Sequence, residues 1–363
     1  RYAMLFVKTE DLKQGMRLAK PIYNKKGVLL YGRDTKLTEQ GIASIRNFEL
    51  IGIYILEPAE PLPPMTDEDV EFERFQTMAI FSIREDLQMI LSGKEPKNLY
   101  KMADLIISTY GRSRKKINFT QSLRSPGDYV YKHSLNVAIL CTLIAKTMNE
   151  SSSDMRELIV SALLHDIGLL LANEKIVCSD DPSDEDKNNI KKSVLDGYNR
   201  LEYGNITPSV KRLIASVQRV AYEMRSNLYE GREKTMSTSA KILIVADLYD
   251  KLTAMKLDVP PTSEFNVIKK LMENSLIDQR VVKALTSTIS ILVPGVCVEL
   301  TNNEKGLVLV ENESNILKPM VLGFNNNRVY NLEATNESLQ IKDIMKSMDN
   351  RTIIDKKLLD EYK

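Results

Sequence analysis

Histidine is nearly absent: the chain of 363 residues has two, His133 and His165. A metal centre built on three or more imidazoles is excluded by that count alone. Cysteine is almost as scarce. Cys141, Cys178 and Cys297 form no CxxC pair and no even framework, so the chain reads as a protein of a reducing cytosol rather than a disulfide scaffold. An excess of charge of one sign is also missing. Fifty Lys and Arg face 49 Asp and Glu, for a net charge of +1. No global basicity points to a nucleic-acid polymer, and no global acidity points to a cationic partner. No apolar run approaches the ~18 residues needed to span a bilayer. The opening RYAMLFVKTEDLKQGM turns charged too early for a secretory signal. The expectation is a cytoplasmic protein with no membrane span. What is present is an ordinary globular composition, 43% hydrophobic and 27% charged, which excludes a disordered polyelectrolyte. At roughly 150 residues per domain, the length suggests two or three domains.

The hydrophobic period changes twice along the chain. Residues 1–57 read as a small β-rich module, with short apolar runs at Met4–Val7, Gly27–Leu30 and Ile51–Leu56 and one helix over Lys36–Asn47. EPAEPLPP places four Pro within eight residues, so 58–65 reads as a stiff linker. Residues 66–118 read as connecting helices and 119–292 as an all-α domain. Apolar residues there recur at three and four spacing over Asp67–Leu91, Lys97–Tyr110, Tyr129–Met148, Met155–Leu171, Lys187–Tyr203, Val210–Met224, Ser237–Leu257, Thr262–Asn274 and Gln279–Ser290. From 293 to 363 short β runs return (VPGVCVEL, GLVLVEN, KPMVLGF), followed by a tail with a helix over Lys342–Met348. The basic string GRSRKK at 111–116 reads as a solvated helix end. The 15 Met are spread over apolar positions and read as core filler.

Three segments carry chemistry. YVYKHSLNVAIL sets His133 at the head of an apolar stripe formed by Val137, Leu140, Cys141 and Ile144. ELIVSALLHDIG places His165 and Asp166 side by side in an apolar helix. AKILIVADLYDKL puts Asp247 on the stripe of Ala240, Leu243, Ile244, Leu248 and Lys251. A carboxylate inside an apolar stripe is costly unless it is paired or bound to a cation. Two His and two Asp are therefore expected to converge inside a helical bundle. One divalent ion (Fe, Mn, Ni, Zn or Mg) would satisfy all four. So would a purely hydrogen-bonded cluster, with His165 donating to Asp247 and Asp166 accepting from a Lys or Arg.

HSLNVA, LLHDIG and VADLYDKLTA, in that order, resemble the HD superfamily of metal-dependent phosphohydrolases. More closely they resemble its HD-GYP branch, whose members hydrolyse the bacterial second messenger cyclic di-GMP. The resemblance runs from about 120 to 310, through VPGVCVELTNNEKGLVLVEN, which resembles the family's β unit after the helices. KTEDLKQGMRLAKPIYNKKGVLLYGRDTKLTEQGIASI resembles a segment often found ahead of such domains. It implies a mainly α fold: an HD-type bundle with a small β-rich N-terminal module and a short β unit near the C-terminus. His133, His165, Asp166 and Asp247 match the family's first metal position.

The departures from the family lie at the second position. Ser193 in IKKSVLDGYNRL stands where the family has a metal-binding His. Val217 and Gln218 stand for a further His pair, Arg219 for a Glu, and Leu169 for the Lys after the HDIG string. No GYP string occurs. Val has no lone pair and Ser is a poor ligand, so a multi-metal centre is expected to be absent. An inward-pointing Arg219 would oppose a cation further. No residue is assigned as catalytic; Lys256, at the family's Arg position, is a candidate phosphate contact. Three readings follow. The first is an impaired HD-GYP protein acting in bacterial signalling by association, as a homodimer or with another signalling protein. Its candidate surfaces are the N-terminal module, the Pro-rich spacer, the loop Asn227–Lys234 and the helix Asp67–Leu91, whose stripe of Val70, Phe72, Phe75, Met78, Ala79, Ile83, Leu87 and Leu91 buries either against its own domain or against a second copy. The second is a residual one-metal phosphodiesterase. The third is a sensor that binds cyclic di-GMP or another nucleotide without cutting it.

Overall fold

Short alternating apolar runs become strands towards both ends of the chain, and three-and-four spacing becomes helix between them, in the computed structural model. It describes residues 4–24, 26–33, 35–47, 52–56, 67–112, 116, 117, 119, 123–179, 182–225, 236–256, 261–325, 328–334 and 339–345. The Pro-rich segment, the loop Asn227–Lys234 and the tail beyond 345 lie outside the described residues. The chain divides into two units, Ala79–Ser290 and Arg1–Met78 with Ile291–Lys363.

In the second of these units, β1 (Met4–Lys8) pairs antiparallel with β4 (Gly52–Leu56), and β2 (Ile22–Tyr23) pairs with β3 (Leu29–Tyr31). Helix α1 (Glu39–Arg46) is capped by Thr38, whose hydroxyl accepts from the Gly41 amide. Leu18, Leu37, Ile42, Ile45, Ile53 and Ile55 form the core of this module. Strands β7 (Cys297–Leu300), β8 (Lys305–Val310), β9 (Met320–Gly323), β10 (Val329–Asn331) and β11 (Ile341–Ile344) make an antiparallel sheet in the order β10-β9-β8-β7-β11. The helix expected over Lys342–Met348 is thus corrected to a strand over its described part. Ile341 and Ile344 are three apart, which reads as helical. A register shift between Ile341 and Asp343 lets both be buried while the strand stays paired to β7.

The unit Ala79–Ser290 is helical. The division between the units falls within α2 (Asp67–Leu91); α3 (Leu99–Tyr110), α4 (Tyr129–Thr147), α5 (Ser152–Leu164) and the short α6 (Glu174–Val177) follow. Then come α7 (Asp184–Arg200), α8 (Pro208–Arg225), α9 (Thr238–Thr253), α10 (Glu264–Glu273) and α11 (Gln279–Thr288). Helix α4 is buried on almost every side and packs against α3, α5, α9 and α11. A helix apolar around its circumference belongs at the centre of a bundle.

Two readings of this unit need correction. The helix expected over Met155–Leu171 is broken. It ends at Leu164, and Ile167–Leu171 is a 3₁₀ turn. The break follows from close packing against α7. A Cβ on Gly197 would lie 2.2 Å from the Gly168 Cα, so only two facing glycines allow that approach. The other correction concerns α9, which stops at Thr253 rather than Leu257. Residues Met255–Lys256 leave it as β6, which pairs in parallel with β5 (Leu123–Arg124). This two-stranded bridge interrupts an otherwise helical unit.

Candidate metal centre

Each of the four donors predicted from sequence is placed by a helix or helix end. His133 sits one turn into α4. His165 and Asp166 occupy the break at the C-terminus of α5, where the backbone leaves the helix and turns both side chains to one point. Asp247 lies in the middle of α9, which Ser237 caps by accepting from the Ala240 amide. All four are buried, and one ligand atom from each lies within 4.8 Å of the other three.

The hydrogen bonds behind the imidazoles fix which nitrogens face the centre. His165 Nδ1 donates to the Ala162 carbonyl at 2.8 Å, one of the carbonyls left free at the end of α5. His133 Nδ1 donates to Asp250 Oδ2 at 2.6 Å. Both Nε2 atoms are thereby turned inward, 3.2 Å apart. Asp247 Oδ1 lies 3.0 Å from one and 3.2 Å from the other, and Asp166 Oδ2 lies 3.4 and 3.5 Å away. With both rings neutral, four electron-rich atoms face one another, an arrangement that needs a cation or a proton. Neighbouring ligands about 2.0–2.1 Å from a tetrahedral or octahedral ion are separated by ~2.8–3.4 Å, a range that holds most of these pairs. The donor set fits one divalent ion.

Four further residues shape this centre. Asp250 is fully buried and accepts from both Nη atoms of Arg124 at 2.6 Å, from His133 and from Asn136 Nδ2 at 3.0 Å. It orients the ring of His133, as carboxylates behind metal-bound histidines do. Burial favours its neutral form, but Arg124 and His133 outweigh that and hold its pKa below the usual carboxylate range. Lys251, one turn after Asp247, contacts Asp247 Oδ1 at 2.9 Å and Asp166 Oδ2 at 3.2 Å. Burial would lower its pKa; the two carboxylates outweigh burial and raise it. Asp166 and Asp247 are in turn held ionised against burial, chiefly by Lys251. Burial would also keep His133 neutral, yet the surrounding carboxylates raise its pKa well above the ordinary imidazole value.

Sequence reasoning placed Lys251 on the Asp247 stripe without a role and missed Asp250, Arg124 and Asn136. Asp250 had a signal of its own, an acid three residues after Asp247 on an apolar helix. Arg124, 126 residues from Asp250, had none.

The residues at the expected second metal position are also placed. Val217 is buried with Val210 and Ile214 on α8. Gln218 donates its amide to the His165 carbonyl at 2.7 Å. Ser193 is half-buried on α7, beside Gly168. Arg219 is exposed, so the condition for it to oppose a cation, an inward-pointing side chain, is not met; Lys251 places a positive charge in the cluster instead. Leu169 packs on Tyr129, Val130 and Ala254. The Lys256 ammonium sits 5.8 Å from the centroid of the Tyr129 ring, which stacks on His133.

Residues 130–252 match the HD domain family. The chain carries an HD domain. All four inward-facing donors belong to it, as do Asp250, Lys251 and Asn136. The chain is also similar to the solved structure of Bd1817, a HDG"Y"P protein from Bdellovibrio bacteriovorus, at 15% identity and a TM-score of 0.43, over 78% of this chain and 98% of that one. No curated protein matches it. No helix among the described residues is long and apolar enough to cross a membrane.

Proposed function

We propose that this HD-domain protein is a degenerate relative of the HD-GYP cyclic di-GMP phosphodiesterases, hydrolyses that messenger slowly or not at all, and acts in bacterial signalling by association. The order of HSLNVA, LLHDIG and VADLYDKLTA supports the family reading. The observation that carries the impairment is the α8 face beside the dyad, where Val217 is apolar and buried and the Gln218 amide is committed to a backbone carbonyl. A divalent ion held by His133, His165, Asp166 and Asp247 would supply a Lewis acid to a phosphodiester. Asp250 would hold His133 in the required tautomer, and Lys256 is the candidate to neutralise phosphate charge. Two-ion hydrolysis also needs ligands on the far side of the reacting group, and Ser193, Val217 and Gln218 are poor at that task.

The test is turnover of cyclic di-GMP by full-length protein loaded with Mn²⁺ or Fe²⁺, beside metal analysis of protein purified without chelators. The proposal expects at most one ion per chain and no rapid turnover. Rapid turnover lost in His165→Ala would overturn it. The intact four-donor set favours one other reading, a slow one-metal phosphohydrolase. That reading expects weak metal-dependent release from a general phosphodiester, abolished by Asp247→Asn. Association would be read by light scattering. Phe72, Ala79, Ile83 and Leu87 of α2 are already buried within the chain, leaving Met78 and Phe81 exposed.

A further inference from the structure

The positive charge inside the donor cluster comes from the chain itself. The Lys251 ammonium bridges Asp247 and Asp166, the same two carboxylates that face both Nε2 atoms. Its hydrogen bond to Asp247 Oδ2 measures 3.1 Å, so it touches both oxygens of that carboxylate. These are the oxygens a metal ion would need. The charge count points the same way. Three buried carboxylates, Asp166, Asp247 and Asp250, face two permanent cations, Arg124 and Lys251. Among these five side chains one negative charge remains. A divalent ion added to that set leaves the buried cluster positive. With an uncharged residue at 251, a divalent ion would leave the cluster neutral. Buried sites are stable when their charges are matched. The Lys251 side chain is 24% exposed, so its ammonium has a path to water when something displaces it.

We infer that Lys251 is a built-in competitor for the metal position: its ammonium occupies the carboxylate pair, and a divalent ion binds only by displacing it. The inference rests on the reading of this cluster as a one-metal site. It goes beyond missing ligands at a second position, because it concerns a cation gained at the first. In this role Lys251 acts through Asp166 and Asp247, as a positioning residue.

The experiment is calorimetric titration of Mn²⁺ into chelator-treated full-length protein, with thermal melting as a second readout. Lys251→Met removes the charge and keeps the length of the side chain. It is expected to bind Mn²⁺ at least about tenfold more tightly than wild type, because the neighbouring positive charge no longer opposes the ion. Its melting temperature without metal should fall, and Mn²⁺ should raise it by more than in wild type. Lys251→Arg, which keeps the charge, should bind as weakly as wild type. If Lys251→Met fails to fold, Lys251→Gln carries the same comparison. Equal or weaker Mn²⁺ binding by the folded neutral variant would overturn the inference and show Lys251 supporting the carboxylates. The site reading is separated by His165→Ala in the Lys251→Met background. Loss of binding keeps the metal at this cluster, whereas unchanged tight binding places it elsewhere and overturns both.

Discussion

Asp250 is the group whose loss should cost the HD domain most. Its side chain and that of Arg124 are both fully buried, and the carboxylate accepts two guanidinium hydrogen bonds of 2.6 Å. Asp250→Asn keeps the shape and removes the carboxylate charge that pairs with the buried Arg124 guanidinium. Removing one partner of a buried pair costs ~3–5 kcal/mol, a large part of the ~5–15 kcal/mol that stabilises a typical domain. Arg124→Met leaves the carboxylate with His133 and Asn136 as donors, so its cost should lie at the lower end. The double variant leaves no unpaired charge at this pair. Its loss should fall short of the sum of the single losses by roughly 2–3 kcal/mol, the coupling expected of contacting groups. Urea unfolding followed by far-ultraviolet circular dichroism measures these differences; the chain has no Trp to report them by fluorescence. Because the chain divides into two units, hydrogen exchange of α4 and α9 would assign the affected transition. A loss below about 1 kcal/mol for Asp250→Asn, or strict additivity of the pair, would refute the reasoning. The same substitution should weaken metal binding by ~10–100-fold through the freed His133 ring.

Other expectations follow from single contacts. Gly197→Ala puts a methyl group 2.2 Å from the Gly168 Cα, a backbone clash no rotamer relieves. It should cost ~1–3 kcal/mol, read by urea unfolding, and loosen α7 from the 3₁₀ turn after the dyad; a neutral Ala would contradict the packing described. Asp278 caps α11 by accepting from the Arg280 amide at 3.0 Å and also pairs with Lys241 at 3.1 Å. Asp278→Ala should cost ~1 kcal/mol at neutral pH. The Arg280 side chain first, then Lys241, holds the Asp278 carboxyl below the usual carboxylate range. Its stabilisation is therefore fully present above the unfolded pKa near 4 and is lost as pH falls through the lower folded value. The gap between wild type and Asp278→Ala should shrink below about pH 4, and a gap that widened there would reverse the sign. Lys342 and Glu299 pair at 2.8 Å with both side chains substantially exposed, so Lys342→Ala should change stability by less than about 0.5 kcal/mol in the same unfolding assay.

The four inward-facing donors were legible in the sequence because each interrupts an apolar stripe, and a buried polar group must find a partner. That constraint is local, written in the three-and-four spacing around His133, His165 and Asp247. The helix-rich middle of the chain was legible for the same reason. The partners were not. A lysine four residues after Asp247 reads as a side chain reaching for water. It becomes a cation between two carboxylates only because the break at His165 swings Asp166 towards α9. That break depends on Gly168 meeting Gly197 across a turn and a helix, which no local pattern records. A spacing of three between Ile341 and Ile344 suits a helix, and it suits a sheet only because the register of β11 against β7 shifts between Ile341 and Asp343. Periodicity reports which face of an element is buried; what lies against that face is settled only when distant segments close-pack, since charge pairing and backbone approach depend on distance in space rather than along the chain.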